Sequence, residues 1–154
     1  MSRRDEIPDQ PYIFGSLLMV ANRIDTLLER ELRPFDVTAK QWFLSVMIAS
    51  LFDQPPTIME LARTMGSSHQ NVKQVALKLQ KTGLLRLEKD PDDGRVTRLF
   101  MTDFSQTFWR QTDEAGRDFL QRLFSGLNET DLKNMRAALD ELLENIEQLD
   151  TGND

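Results

Sequence analysis

Residues 57–102 constrain the fold of this chain more tightly than any other stretch. Thr57-Ile-Met-Glu60 has the form of a capping box: the threonine hydroxyl takes a free backbone N–H at a helix start and the glutamate reaches back. Leu61, Ala62 and Met65 follow at helical spacing, and Gly66 breaks the pattern. Ser67-Ser-His-Gln70 reads as another capping box. It opens a helix with Val72, Val75, Ala76 and Leu79 on its inner face and an end at Thr82-Gly83. Two short helices hinged on a glycine make a helix-turn-helix pattern. Leu85 and Leu87 then alternate with Arg86 and Glu88, Asp90-Pro-Asp-Asp-Gly94 supplies a turn, and Val96–Met101 returns as a strand. The pair predicts a β-hairpin with Asp93-Gly94-Arg95 at its tip.

The flanks read as helical. The first helix runs from about Tyr12 to Leu32, with Phe14, Leu17, Ala21, Ile24 and Leu28 on one stripe, and Pro34 ends it. The box Thr38-Ala-Lys-Gln41 opens a second helix. Its Trp42, Phe43, Val46, Met47 and Leu51 cover much of the circumference, which predicts a central, buried helix; Asp53-Gln-Pro-Pro56 stops it. After the hairpin a helix from about Asp103 to Ser125 carries Phe104, Phe108, Trp109, Phe119 and Leu120, and Gly126 breaks it. Asn128 caps the last helix, where Leu132, Met135, Leu139, Leu142, Ile146 and Leu149 step by three and four in a heptad seam. The pairs Trp42/Phe43 and Phe108/Trp109 are read as core rather than as a ligand box. The acidic residues of the last helix read as a solvated face beside the seam.

Composition narrows the chemistry. A chain of 154 residues, 40% hydrophobic and 29% charged, has the size and make-up of one globular domain. It has no cysteine, which excludes disulfides, thiol redox sensing, thiolate catalysis and cysteine-based zinc sites. His69 is the one histidine, and no nucleophile–base pair, metal-ligand spacing or phosphate-cradling glycine loop surrounds it. No catalytic residue, metal ligand or cofactor is therefore assigned. No apolar run approaches the roughly 18 residues a membrane span needs, and no apolar stretch follows the charged N-terminus, so no membrane association is expected and the expected location is cytoplasmic. The net charge of −6 hides a split: residues 58–101 hold 8 basic and 5 acidic side chains, whereas residues 127–154 hold 8 acidic and 2 basic. The middle of the chain attracts anions and the end repels them.

A helix-turn-helix followed by a basic hairpin is a winged-helix arrangement. Its second helix can enter a major groove, and the outward side chains of that helix are Ser68, His69, Gln70, Asn71, Lys73, Gln74 and Lys78, all polar and none acidic. Glutamine and asparagine can pair with adenine in two places at once, and lysine can reach guanine or phosphate. The free helix N-terminus near Ser67 can hold a phosphate. Arg95 has the reach for a narrow minor groove.

The chain resembles the MarR (multiple antibiotic resistance regulator) family over about residues 10–150. The resemblance rests on Val37-Thr-Ala-Lys-Gln-Trp42, on Glu60-Leu-Ala-Arg-Thr-Met-Gly66, on Leu79-Gln-Lys-Thr-Gly-Leu-Leu85, and on Asp90-Pro-Asp-Asp-Gly-Arg95 with the later Thr102. Ser67, Leu77 and Gly94 depart from the family's usual residues, as does the segment after Thr102. The resemblance implies a homodimeric transcription factor on pseudo-palindromic double-stranded DNA, often released by small aromatic or phenolic ligands.

The expected fold is therefore mostly α with a small β-hairpin wing: a winged helix-turn-helix lobe at 57–102, flanked by dimerisation helices at 10–33 and 103–150, within a single domain at 10–150. The expected function is a non-enzymatic, sequence-specific DNA-binding regulator, a ligand-responsive repressor in stress response. The alternative is a winged-helix protein-interaction module without DNA binding. DNA contact is expected from Ser68, His69, Gln70, Asn71, Lys73, Gln74, Lys78 and Arg95. Dimer contact is expected from Leu17, Ile24, Leu132, Leu139, Leu142 and Ile146. No ligand-binding residue is assigned.

Overall fold

The computed structural model describes residues 6–151. They divide into two compact units, one ending at Ala115 and the other beginning at Gly116. The elements in chain order are α1 (Asp9–Leu32), a 3-10 turn (Arg33–Phe35), α2 (Ala39–Leu51), α3 (Ile58–Thr64), α4 (His69–Lys81), β1 (Leu85–Lys89), β2 (Thr97–Met101), α5 (Asp103–Leu123) and α6 (Glu129–Thr151). The chain is mostly helical with one antiparallel hairpin, as the sequence predicts.

Local chemistry sets the helix ends. The boxes at Thr38 and Thr57 both form: each hydroxyl accepts from the backbone N–H three residues on, and Gln41 and Glu60 accept from the cap residues' own N–H groups. At α4 the cap is Ser68, whose Oγ accepts from Asn71 N at 3.2 Å, and the box expected on Ser67 and Gln70 does not form. The reason lies in the preceding turn. Gly66 takes φ +59°, so Gly66 N donates to Arg63 O at 3.1 Å and Ser67 N donates to Ala62 O at 2.9 Å. Ser67 thereby belongs to the end of α3, and the next serine is the first free to cap. Gly83, at φ +77°, closes α4 in the same way, with Leu84 N on Leu79 O at 3.0 Å.

In the first unit the core is Leu44 and Ile48 of α2, Ile58, Leu61 and Ala62 of α3, Val72, Ala76 and Leu79 of α4, and Leu84, Leu85 and Leu99 around the hairpin. Leu85 pairs with Met101 and Leu87 with Leu99 across the hairpin, so these four share the face turned to the helices, and Leu99 is fully buried. Phe108 and Trp109 of α5 pack on this core. The expectation of a buried α2 needs correction. Leu44, Ser45 and Ile48 are buried, but Trp42 is half-buried and Phe43 and Leu51 are exposed. The core lies along one stripe of α2, and residues off that stripe have no wall to meet. In α1 only Leu32 is buried, and Glu29 Oε1 accepts from Ala39 N at 2.8 Å to tie its end to α2.

The second unit is built on α6. Asn128 Oδ1 accepts from Asp131 N at 2.9 Å and Asp131 Oδ2 accepts from Asn128 N at 3.0 Å, a reciprocal cap. Every described residue of α6 is exposed, including Leu132, Met135, Leu139, Leu142, Ile146 and Leu149 of the heptad seam.

Candidate nucleic-acid interface

The loop ahead of α3 is stitched to the hairpin, and the core packing of α4 sets that helix beside the wing. Leu99 N donates to Pro56 O at 2.9 Å, and Thr57 forms an antiparallel bridge with Arg98. Arg98 is the knot. Its Nη1 donates to Pro55 O at 2.9 Å, across 43 residues of sequence, while its Nε donates to Asp90 Oδ2 at the base of the wing. Asp90 Oδ1 in turn accepts from Asp92 N at 2.8 Å and Asp93 N at 3.1 Å, winding the turn. The bond from Arg98, followed by those from the two amides, holds the Asp90 carboxyl below its ordinary value, and Asp90 raises Arg98. Glu60 is lowered by its bonds to the Thr57 cap, with a smaller contribution from Arg98.

The result is a cleft of about 290 Å³ lined by Thr57, Ile58 and Met59 at the start of α3, His69 and Lys73 on the first turns of α4, and Lys89, Arg95, Val96 and Thr97 of the wing. Four lining residues carry basic groups and none is acidic. Such a cleft concentrates positive potential where a phosphate chain could pass. Arg95 stands at the wing tip with its side chain 92% exposed, and its Nε meets Asp93 Oδ1 at 3.2 Å. The structure therefore places His69, Lys73 and Arg95 around one cleft. Ser68, Gln70, Asn71, Gln74 and Lys78 lie exposed on or beside α4, with the Ser68 hydroxyl already accepting as the cap. Lys89 and Arg98 are two of the basic residues of 58–101 to which the sequence pattern assigns no role. The Asx turn at Asp90 is legible in Asp-Pro-Asp-Asp-Gly, but the bonds of Arg98 to Asp90 and to Pro55 O are not, since they span 8 and 43 residues. Nothing local marks Lys89 as a cleft residue. Among the residues expected at a dimer contact, Leu17, Leu132, Leu139, Leu142 and Ile146 are exposed and Ile24 is half-buried. Among the described residues no histidine, cysteine or carboxylate group is clustered to hold a metal, and no helix is long and apolar enough to cross a membrane.

A helix-turn-helix whose second helix lies beside a β-hairpin defines the winged helix-turn-helix class. The comparisons agree. The model of the MarR family matches residues 36–96. The HTH-type transcriptional repressor IacR of Pseudomonas putida is 23% identical over 145 residues, covering 94% of this chain and 86% of that protein. Among solved structures, AbsC, a MarR family transcriptional regulator from Streptomyces coelicolor, has a TM-score of 0.78 at 19% identity, covering 92% of this chain and 97% of that one. The MepR–DNA complex of S. aureus has a TM-score of 0.74 at 19% identity, covering 90% and 99%. Residues 36–96 thus match the MarR family, and the described chain shares the winged-helix fold of solved MarR family regulators.

Proposed function

We propose that the protein is a homodimeric repressor that binds a pseudo-palindromic operator and is released by a small aromatic or phenolic effector. One observation carries the DNA half of this reading: the basic, carboxylate-free cleft between α4 and the wing. With α4 in a major groove, Asn71 and Gln74 face base edges, Lys73 and Lys78 meet phosphate, and Arg95 enters the adjoining minor groove. His69 and Gln70 occupy the entering turn, and Ser68 caps it. That MepR was solved with DNA supports the same use of the shared fold.

A net charge of −6 gives the chain little general pull on DNA, so specific affinity comes from two half-sites held together. Exposed apolar residues suited to that clamp lie on α1 (Leu17, with Ile24 half-buried) and along the α6 seam (Leu132, Leu139, Leu142 and Ile146). Exposed apolar area on this scale marks an association surface. For the effector, Trp109 supplies a chemical handle. Its indole Nε1 is buried without a hydrogen-bond partner among the described residues, and its ring lies edge-on to Phe108 with centroids 4.9 Å apart. A phenol or carboxylate oxygen would satisfy that donor. The test is fluorescence anisotropy on DNA from upstream of the protein's own coding sequence, at stated salt. Binding preferred over random DNA by a hundred-fold or more is the expected result. Equal binding to both would leave a protein-interaction module as the better reading.

A further inference from the structure

The outward face of α4 holds one apolar side chain, Leu77, that contacts neither the core nor the DNA as proposed above. Val72, Ala76 and Leu79 form the buried stripe of this helix. At 100° per residue the opposite side carries Gln70, Gln74, Leu77, Lys78 and Lys81. All are exposed, and Leu77, 46% exposed, is the lone apolar member. It contributes nothing to the core, which its neighbours Ala76 and Leu79 complete.

We propose that Leu77 determines part of the operator sequence by packing its side chain on the C5-methyl of a thymine in each half-site. This rests on the DNA reading above. The argument is chemical complementarity. The thymine methyl is the apolar group that base edges present in a major groove, so a leucine carried into the groove has a single good match. The surroundings choose nucleic acid over an apolar protein surface. Lys73 lies four residues before Leu77, Lys78 beside it and Lys81 four residues after it. A protein partner covering Leu77 would have to desolvate these ammonium groups, whereas DNA supplies phosphates for them. Position agrees as well. Leu77 lies three residues after Gln74, about 4.5 Å further along the helix axis, which is within one or two base-pair steps. An adenine read by Gln74 would then be followed closely by a thymine whose methyl meets Leu77.

The test uses the full-length protein and its operator, with each thymine replaced in turn by deoxyuridine, which lacks only the methyl. Wild-type protein is expected to lose about four-fold in affinity at one thymine of each half-site, the fold-change equivalent to ~0.8 kcal/mol per buried carbon group. Leu77→Ala is expected to bind thymine and uracil operators alike at that position. Alanine favours the helix, so the variant keeps the lobe folded. Specific binding by wild type with no methyl-sensitive thymine overturns the proposal, and so does sensitivity that persists undiminished in Leu77→Ala. Failure of wild type to prefer any sequence would overturn the DNA reading together with it.

Discussion

Replacing Arg95 by alanine tests the wing separately from the rest of the lobe. The turn that carries it is held without its side chain: Asp90 N donates to Val96 O at 2.9 Å, Val96 N donates to Asp93 O at 2.9 Å, and Asp90 Oδ1 takes the amides of Asp92 and Asp93. With the side chain 92% exposed, truncation leaves no cavity and strands no buried group. The cost therefore falls on DNA binding alone. A groove or phosphate contact from one arginine contributes about 1–3 kcal/mol. The pair with Asp93 is solvent-exposed, worth about 0–1 kcal/mol, and competes with that contact, so the net is about 1–2 kcal/mol per wing. Two wings on a palindrome give about 2–4 kcal/mol, roughly 30- to 1000-fold in Kd. The slope of log K against log salt should shrink by about two, close to 0.9 for each lost cation. Anisotropy titrations at several salt concentrations measure both, and a thermal melt checks that stability is unchanged. An unaltered Kd and slope would refute the wing as a groove reader. A matching fall in melting temperature would refute the claim that the turn stands without this side chain.

Other outcomes follow from the same structure. Asn71→Ala and Gln74→Ala should relax sequence preference, while Lys78→Ala should weaken binding to specific and random DNA alike and lower the salt slope by about one; indistinguishable effects from all three would refute this division of labour. Leu142→Glu puts a carboxylate into the α6 seam and should cost the proposed dimer several kcal/mol. Sedimentation at micromolar concentration should then show monomer, with operator binding lost; a dimeric variant would show that the seam is not the clamp. The carboxyls of Asp90 and Glu60 are held below ordinary values of 3.8 and 4.5, so their contribution is complete above those values and is lost as pH falls through the lower folded-state values. Protection factors of wing amides, corrected for intrinsic exchange, should stay constant near neutrality and fall in acid below about pH 4; Asp90→Asn should be poorly protected already at neutral pH, and a wild-type-like profile for it would refute the anchoring role.

The parts of this protein legible in its sequence are those decided by neighbours in the chain. The capping boxes at Thr38 and Thr57, the breaks at Gly66, Gly83 and Gly126, and the alternation in Leu85–Lys89 each depend on a few consecutive residues. They suffice to delimit the helices and the hairpin. Even here a one-residue ambiguity survived, because Ser67 and Ser68 are equally good caps until the geometry of the α3 end uses up one of them. The exposure of Phe43 and Leu51 on α2 was not legible either, since periodicity says that a helix has an apolar side but not how wide the opposing core is.

Only the tertiary structure made the cleft. It joins residues 57–59, 69–73 and 89–97, which local pattern treats as separate elements. Arg98 brings the first and last of them together by bonding a carbonyl 43 residues away and the Asp90 carboxylate at once, and a single cation with a planar fork can hold two such partners only after the chain has folded back. Sequence alone determined which side chains are available to meet a nucleic acid. The long-range hydrogen bonds of Pro55, Pro56 and Asp90 set the wing against the start of α3, and the packing of Val72, Ala76 and Leu79 on Leu61, Leu85 and Leu99 brings His69 and Lys73 to the same cleft as Lys89 and Arg95, because these placements depend on where distant segments meet.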